Sequence, residues 1–185
     1  MEPRRFAAGF FFKPQAMPPQ HYPPTLHLIC GLPGAGKTVL AKTIAASTDA
    51  FRFEPDEWIR SIWGDEAETE GNQYRDQIEQ LQWKIALHAL RQSTDVIIEW
   101  GTWGRSEREK LRNDAKALGA RVKLYCLNAP RELLKQRILN RNHQPGPSDF
   151  LIPDPEIEIF LDDCFRQFQP PTAEELASYD EVAWL

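Results

Sequence analysis

Residues 31–38 have the residue types and the spacing of a loop that binds phosphate groups. The segment matches the pattern GxxxxGK[ST] at every fixed position, and it consists of Gly31, Leu32, Pro33, Gly34, Ala35, Gly36, Lys37 and Thr38. Glycines allow the backbone to curl so that successive N–H groups point at the phosphates. Lys37 is expected to reach the β- and γ-phosphates, and the Thr38 hydroxyl is expected to hold Mg²⁺. The segment therefore predicts a nucleoside triphosphate site.

Two carboxylates follow short runs that are predicted to be strands. Asp56 comes after residues 50–53, and Glu99 closes residues 95–99. Ligands of doubly wound sheets collect at the carboxyl ends of the strands. Asp56 could accept the proton of a hydroxyl that attacks the γ-phosphate, or it could be only the N-cap of a helix. Glu99 could bind Mg²⁺ through water, order an acceptor or form a turn.

Two arginines could supply positive charge to the transferred phosphate. Arg137 and Arg141 are four residues apart and share one face of a helix predicted over residues 130–141. This helix leads into the Pro/Gly-rich residues 143–148. Arginines in that position can close over phosphates as a lid, and the alternative is a solvated helix face.

The turn after Glu99 contains side chains that suit an acceptor pocket or, alternatively, the protein core: Trp100, Thr102 and Trp103. Arg105 and Arg108 follow directly, and for them the same choice arises between a lid role and an ordinary helix face.

Strands and helices alternate from residue 25 onward. The sequence predicts strands at residues 25–30, 50–53, 95–99 and 121–127, and helices at residues 39–47, 72–92, 106–118 and 130–141. The buried face of the second helix is expected to comprise Ile78, Leu81, Ile85 and Ala89. This alternation indicates an α/β fold with a parallel sheet and helices on both faces.

The composition excludes several classes of protein. The chain has 185 residues and a formal net charge of -5, which suits one domain and argues against a general nucleic-acid or membrane-surface binder. No apolar run approaches the roughly 20 residues that a membrane helix needs. The three cysteines suggest neither a disulfide framework nor a zinc site, so the cytoplasm is the expected compartment.

Residues 1–25 differ from the rest of the chain. Six of the 15 prolines lie there, which predicts an extended arm preceding a domain at residues 26–185. The arm could bind a protein partner. Neither the NKxD nor the DxxG element of guanine-nucleotide proteins occurs in the sequence, so ATP is the expected nucleotide.

Four segments together carry a family resemblance: GLPGAGKT, RFEPDEW, VIIEWGTWGRSERE and LKQRILNRN. In this order they resemble the small P-loop kinases related to polynucleotide kinase, zeta toxins and chloramphenicol phosphotransferase. The greatest similarity is to the "predicted kinase" group of AAA-type ATP-binding proteins, over about residues 26–176. The resemblance implies a P-loop NTPase fold similar to that of nucleoside kinases. It also implies Lys37 and Thr38 at the phosphates and Mg²⁺, Asp56 as the acceptor base, and lid arginines at Arg137 and Arg141.

The sequence departs from this family in two places. Glu99 stands where many relatives have aspartate, and Ile59 stands where polynucleotide kinases have an arginine that holds the acceptor phosphate. The second departure, like the acidic charge, argues against a nucleic-acid acceptor.

The expected function is ATP·Mg²⁺-dependent phosphoryl transfer to a hydroxyl group of a small molecule. Two alternatives stay open: a toxin-like kinase that acts on a nucleotide sugar, and an ATP-dependent switch or slow ATPase whose arm binds a protein partner.

Overall fold

The computed structural model describes residues 22–146 and 150–185, which contain a five-stranded parallel sheet. The strands are β1 (Thr25–Cys30), β2 (Phe51–Phe53), β3 (Val96–Gly101), β4 (Arg121–Cys126) and β5 (Glu181–Trp184). They lie in the order β2-β3-β1-β4-β5, and every neighbouring pair is parallel. The strand β1, which leads into the phosphate loop, is therefore central. The predicted α/β fold is confirmed.

Seven α-helices connect or follow the strands in the described ranges: α1 (Lys37–Thr48), α2 (Pro55–Trp63), α3 (Arg75–Arg91), α4 (Arg105–Ala117), α5 (Arg131–His143), α6 (Ile157–Gln167) and α7 (Ala173–Leu176). Short 3-10 and π turns link α2 to α3 across residues 64–74.

The helices cover both faces of the sheet because successive strand residues point to opposite sides. Leu26 and Leu28 of β1 pack in one core with buried residues of α3 and α4. Ile29, between Leu28 and Cys30, belongs to the other core with α1, α5 and α6. The central strands are therefore buried on both faces. The turns that follow their carboxyl ends are available to form a site.

The buried face of α3 differs from the prediction at two positions. Ile78 and Ala89 are buried, but Leu81 and Ile85 are 47% and 41% exposed. The predicted face is wrong at these two positions because the buried face of α3 includes Gln82, a polar residue that is fully buried. The helix also begins at Arg75 and not at residue 72, since residues 72–74 form a 3-10 turn.

The elements α2, α6, α7 and β5 lie outside the predicted pattern. β5 has only four residues and α7 also has four, too few to show a period in the sequence. Residues 1–21 of the expected arm lie outside the described residues, and Thr25 is already the first residue of β1. In the described ranges, no helix combines the length and the apolar character needed to cross a membrane.

Candidate active site

The phosphate loop joins β1 to α1 and adopts backbone conformations that favour glycine. Gly34 and Gly36 have φ angles of +79° and +103°. A Cβ atom on Gly34 would also lie 3.0 Å from the carbonyl oxygen of Leu134 on α5. The loop is tied to the end of β3 because Gly31 N donates to Gly101 O at 3.1 Å. Glycine is therefore required here for both conformation and close approach.

The first turn of α1 is free to bind an anion. Gly36 is its N-cap and provides no side-chain hydrogen bond, and the first turn contains no acidic residue. No acidic side chain of this turn therefore neutralises the positive end of the helix dipole, and no capping side chain occupies its N–H groups. This is the arrangement that binds phosphate at helix N-termini.

Lys37 folds back across the loop. Its Nζ donates to Leu32 O at 3.2 Å. Burial lowers the pKa of Lys37, while the charges of Glu99 and Asp56 act in the opposite direction. The amine is thus held among the phosphate loop and the two predicted carboxylates, where it could reach a bound phosphate.

Thr38 and Glu99, the two predicted magnesium residues, are in direct contact. Thr38 Oγ1 donates to Glu99 Oε1 at 2.9 Å, and Arg52 Nη1 donates to Glu99 Oε2 at 3.0 Å. The Glu99 side chain is 1% exposed. Burial raises the pKa of Glu99, and the hydrogen bonds from Arg52 and Thr38 oppose that shift. Both oxygens of the carboxylate are therefore held in place.

The oxygen donors of this pair fit magnesium. Mg²⁺ prefers oxygen ligands, keeps several waters and usually binds through one or two protein groups plus substrate phosphates. Within residues 22–146 and 150–185, no cluster of three or more His, Cys, Asp or Glu side chains could hold a metal. Thr38 and Glu99 therefore suit an ion that enters with the nucleotide, not a metal caged by the protein alone.

Asp56 lies in the first turn of α2, but it is not the N-cap. That position belongs to Glu54, whose Oε2 accepts the backbone N–H of Glu57 at 2.6 Å. The N-cap interpretation of Asp56 is therefore wrong. The Asp56 carboxylate forms an ion pair with Arg75, and Arg75 Nε lies 3.0 Å from Glu79 Oε1. About a third of the Asp56 side chain is exposed, so an acceptor can approach it.

Two further carboxyl groups near Asp56 have raised pKa values. Burial and the neighbouring charge of Asp56 raise the pKa of Glu54 to about 8. Burial, against the opposing charge of Arg75, raises the pKa of Glu79 to about 7. The pKa values of both Glu54 and Glu79 therefore lie near neutral pH, where an ordinary glutamate is fully ionised.

Gln82 connects the turn that carries Asp56 to the end of β3. Its Nε2 donates to Glu54 O at 3.1 Å, and its Oε1 accepts the indole N–H of Trp100 at 2.8 Å. Only one amide orientation satisfies both partners, because a carbonyl can only accept and an indole N–H can only donate. The fully buried amide thereby links the two strand ends.

Arg137 lies against the phosphate loop. Its Nη1 donates to Gly34 O at 3.1 Å and to Ala35 O at 3.2 Å. Arg141, one turn later on α5, is half-buried, and among the described residues its Nε has no hydrogen-bond partner. The predicted Pro/Gly-rich segment of the lid, residues 143–148, continues past the end of α5, and its last two residues lie outside the described residues.

The turn after Glu99 is largely internal. Thr102 is 1% exposed, and the indole N–H of Trp103 donates to Gly31 O at 3.2 Å. Arg108 is fully buried in a bidentate ion pair with Glu175 and also donates to Thr102 O at 3.0 Å. The lid alternative for Arg108 is therefore wrong, because a fully buried guanidinium cannot reach a phosphate.

Three residues of the site were not predicted from the sequence: Arg52, Arg75 and Gln82. Arg52 offered a signal, since it is a charged residue inside the short strand Phe51–Phe53. Arg75 and Gln82 lie on α3 and showed no signal, because their partners outside this helix are 18 to 28 residues away in the chain.

The parallel sheet and the glycine-rich loop between β1 and α1 define a P-loop NTPase fold. Within that class, the chain belongs to the AAA domain family (AAA_33), whose model matches residues 26–164. The resemblance inferred from the sequence is confirmed. No curated protein matches the chain significantly.

Solved structures share the fold. A protein from Chloroflexus aurantiacus J-10-fl, provisionally described as a kinase, is 17% identical with a TM-score of 0.62, covering 89% of this chain and 88% of that one. Kti12 from Chaetomium thermophilum, in complex with ADP-AlF3, is 15% identical with a TM-score of 0.60 (86% and 88% covered). A sugar kinase from Janibacter sp. HTCC2649 is 18% identical with a TM-score of 0.59 (88% and 85% covered). At these identities the similarity shows the fold alone.

Proposed function

We propose that the protein transfers the γ-phosphate of ATP to a hydroxyl group of a small-molecule acceptor, with Mg²⁺ as the cofactor. The observation that carries this proposal is the convergence at one sheet edge of the phosphate loop, the Thr38–Glu99 pair and the partly exposed Asp56. Kinases among the structures of the same fold support it.

Each residue has a distinct role in this reaction. The loop N–H groups and Lys37 hold the β- and γ-phosphates, and Thr38 with Glu99 holds the ion. When bound, Mg²⁺ neutralises charge on the phosphate oxygens. The hydroxyl oxygen of the acceptor attacks the γ-phosphorus while Asp56 accepts the hydroxyl proton. The bond between the γ-phosphorus and the β-phosphate oxygen breaks, and ADP leaves. Arg137 and Arg141 stabilise the charge that spreads over the transferred group.

Asp56→Asn tests the proposal directly. The wild-type protein and this variant are incubated with γ-labelled ATP, Mg²⁺ and a small-metabolite extract, and Asp65→Asn, at an exposed turn residue, is the matched control. We expect a labelled organic product from the wild type and the control only, with ATP binding retained in Asp56→Asn. Label that appears only in inorganic phosphate, equally with all three proteins, would instead favour a slow ATPase or switch.

We place the protein in the cytoplasm. Its three cysteines, Cys30, Cys126 and Cys164, are all free and buried, as expected for a reducing compartment. The acidic net charge of -5 supports a small acceptor over a nucleic acid, and residues 1–25 are the proposed site for any protein partner.

A further inference from the structure

The two oxygens of the Glu99 carboxylate have different partners. Oε1 accepts the hydroxyl of Thr38 at 2.9 Å, and Oε2 accepts Nη1 of Arg52 at 3.0 Å. With a side chain that is 1% exposed, Glu99 can exchange few of these contacts for water. Its orientation is therefore set by Thr38 on one oxygen and by Arg52 on the other.

Arg52 reaches Glu99 from the edge strand β2. Its side chain is 15% exposed, and its guanidinium also contacts the carboxylate of Glu57 on α2 through Nη2. A planar guanidinium can bridge two carboxylates in a fixed geometry, whereas a lysine ammonium acts as a mobile point charge. Arg52 thus joins Glu99 to the helix that carries Asp56.

A glutamate at this position needs such an anchor more than an aspartate does. The side chain of glutamate has one more rotatable bond, so its carboxylate can occupy more positions unless a neighbour fixes it. Without Arg52, a buried negative charge would also lose its counter-charge.

We propose that Arg52 is a positioning residue for the magnesium site: it fixes Glu99 Oε2 so that Oε1 stays at Thr38, where these two residues would hold the ion. The inference rests on the proposed function, because it takes Thr38 and Glu99 as the residues that hold Mg²⁺. Partners that orient a ligand in this way commonly change metal affinity about 10- to 100-fold when they are removed.

Binding of a fluorescent N-methylanthraniloyl derivative of ATP, titrated with Mg²⁺ from a chelated start, tests this role. Arg52→Met is compared with the wild type and with Lys123→Met, which removes a cation from β4 that pairs with Glu181 outside the site. We expect Arg52→Met to need about 10- to 100-fold more Mg²⁺ for half-maximal binding of the ATP derivative. Its affinity for the derivative in the presence of chelator, without Mg²⁺, should equal that of the wild type. Lys123→Met should behave as the wild type.

Arg52→Lys keeps the test decisive if Arg52→Met does not fold. The ammonium still neutralises the buried carboxylate but does not hold Glu99 and Glu57 in the fixed planar geometry of a guanidinium, so a higher Mg²⁺ requirement is again expected. An unchanged Mg²⁺ requirement in a folded variant would overturn the role of Arg52, as would an equal loss of affinity with and without the metal.

The wild-type titration separates this inference from the proposed function. If the wild type binds the ATP derivative equally well with and without Mg²⁺, the magnesium site itself is contradicted. If the wild type depends on Mg²⁺ and Arg52→Met has the same dependence, only the role of Arg52 is contradicted.

Discussion

The carboxylate of Asp56 is paired with the guanidinium of Arg75, which lies 19 residues later and on a different helix. Arg75 also contacts Glu79 one turn along α3, so a single cation separates two carboxylates. The proposed base is therefore held by a partner from α3 before any acceptor binds, and the geometry of the base depends on how α2 and α3 pack.

Arg75→Met should destabilise the protein more at high pH than at low pH. Without the cation, Asp56 and Glu79 repel each other, which we expect to cost about 1 kcal/mol because both side chains are partly exposed. Glu79 already has a pKa of about 7, so protonation relieves the repulsion below neutrality. Denaturant unfolding at pH 6 and pH 8 measures the difference, and an equal loss at both pH values would contradict the prediction.

Glu54→Gln should flatten the dependence of stability on pH. The folded protein holds the Glu54 proton up to a pKa of about 8, whereas the ordinary value is 4.5. This group therefore favours folding most below pH 4.5, and its contribution falls as the pH rises towards 8, by at most about 1.4 kcal/mol per pH unit. Glutamine can still accept the N–H of Glu57.

Melting temperatures between pH 5 and pH 8 check this prediction, with Glu66→Gln at an exposed position as the control. The wild type and the control should lose stability with rising pH more steeply than Glu54→Gln does. Parallel curves for all three proteins would show that Glu54 does not titrate in this range.

Gln82→Leu should be strongly destabilising although leucine suits a buried helix position. The substitution leaves Glu54 O and the Trp100 indole N–H without the partner they have now, at about 1–3 kcal/mol for each buried group. Chemical denaturation measures the loss, and Gln80→Leu on the exposed face of α3 is the control. A loss no greater than that of the control would mean that both groups find other partners.

Arg137→Gln should reduce phosphoryl transfer far more than nucleotide binding. Arg137 is exposed, so its hydrogen bonds to Gly34 O and Ala35 O contribute little to folding. Arginines that stabilise a transferred phosphate are worth about 10³- to 10⁵-fold in turnover. Nucleotide affinity and single-turnover label transfer are to be measured in parallel. Equal losses in the two quantities would reassign Arg137 to loop support.

Glu175→Gln should cost about 3–5 kcal/mol, because it leaves the fully buried charge of Arg108 without its partner. The double variant Arg108→Met/Glu175→Leu removes both charges and should recover much of that stability. Urea unfolding of the single variants Arg108→Met and Glu175→Leu and of the double variant measures the coupling. Strictly additive losses would show that the pair does not interact energetically.

The sequence predicted the features that depend on neighbouring residues. The phosphate loop is encoded by eight consecutive residues, and the ends of β1 and β3 follow from short apolar runs, so Lys37, Thr38 and Glu99 could be placed together. The partners of Glu99 and Asp56 could not be predicted, since Arg52 and Arg75 reach them only after distant segments have packed.

The burial of Gln82 escaped prediction for a related reason. In a periodic helix pattern, a polar side chain predicts a position exposed to solvent. It is stable in the core only when residues from other elements satisfy its hydrogen bonds. In the same way, Asp56 resembled an N-cap because aspartate fills that role well, but the glutamate two residues earlier occupies the position.

The Arg108–Glu175 pair also bears on how the chain folds during its synthesis. Glu175 leaves the ribosome 67 residues after Arg108 and lies beyond residue 164, where the family match ends. Until then the Arg108 guanidinium, which touches the turn that contacts Gly31, has no buried counter-charge. The phosphate loop therefore precedes in the chain the residue that completes its support, and the turn behind it can reach its final ion pairing only after Glu175 has been synthesised.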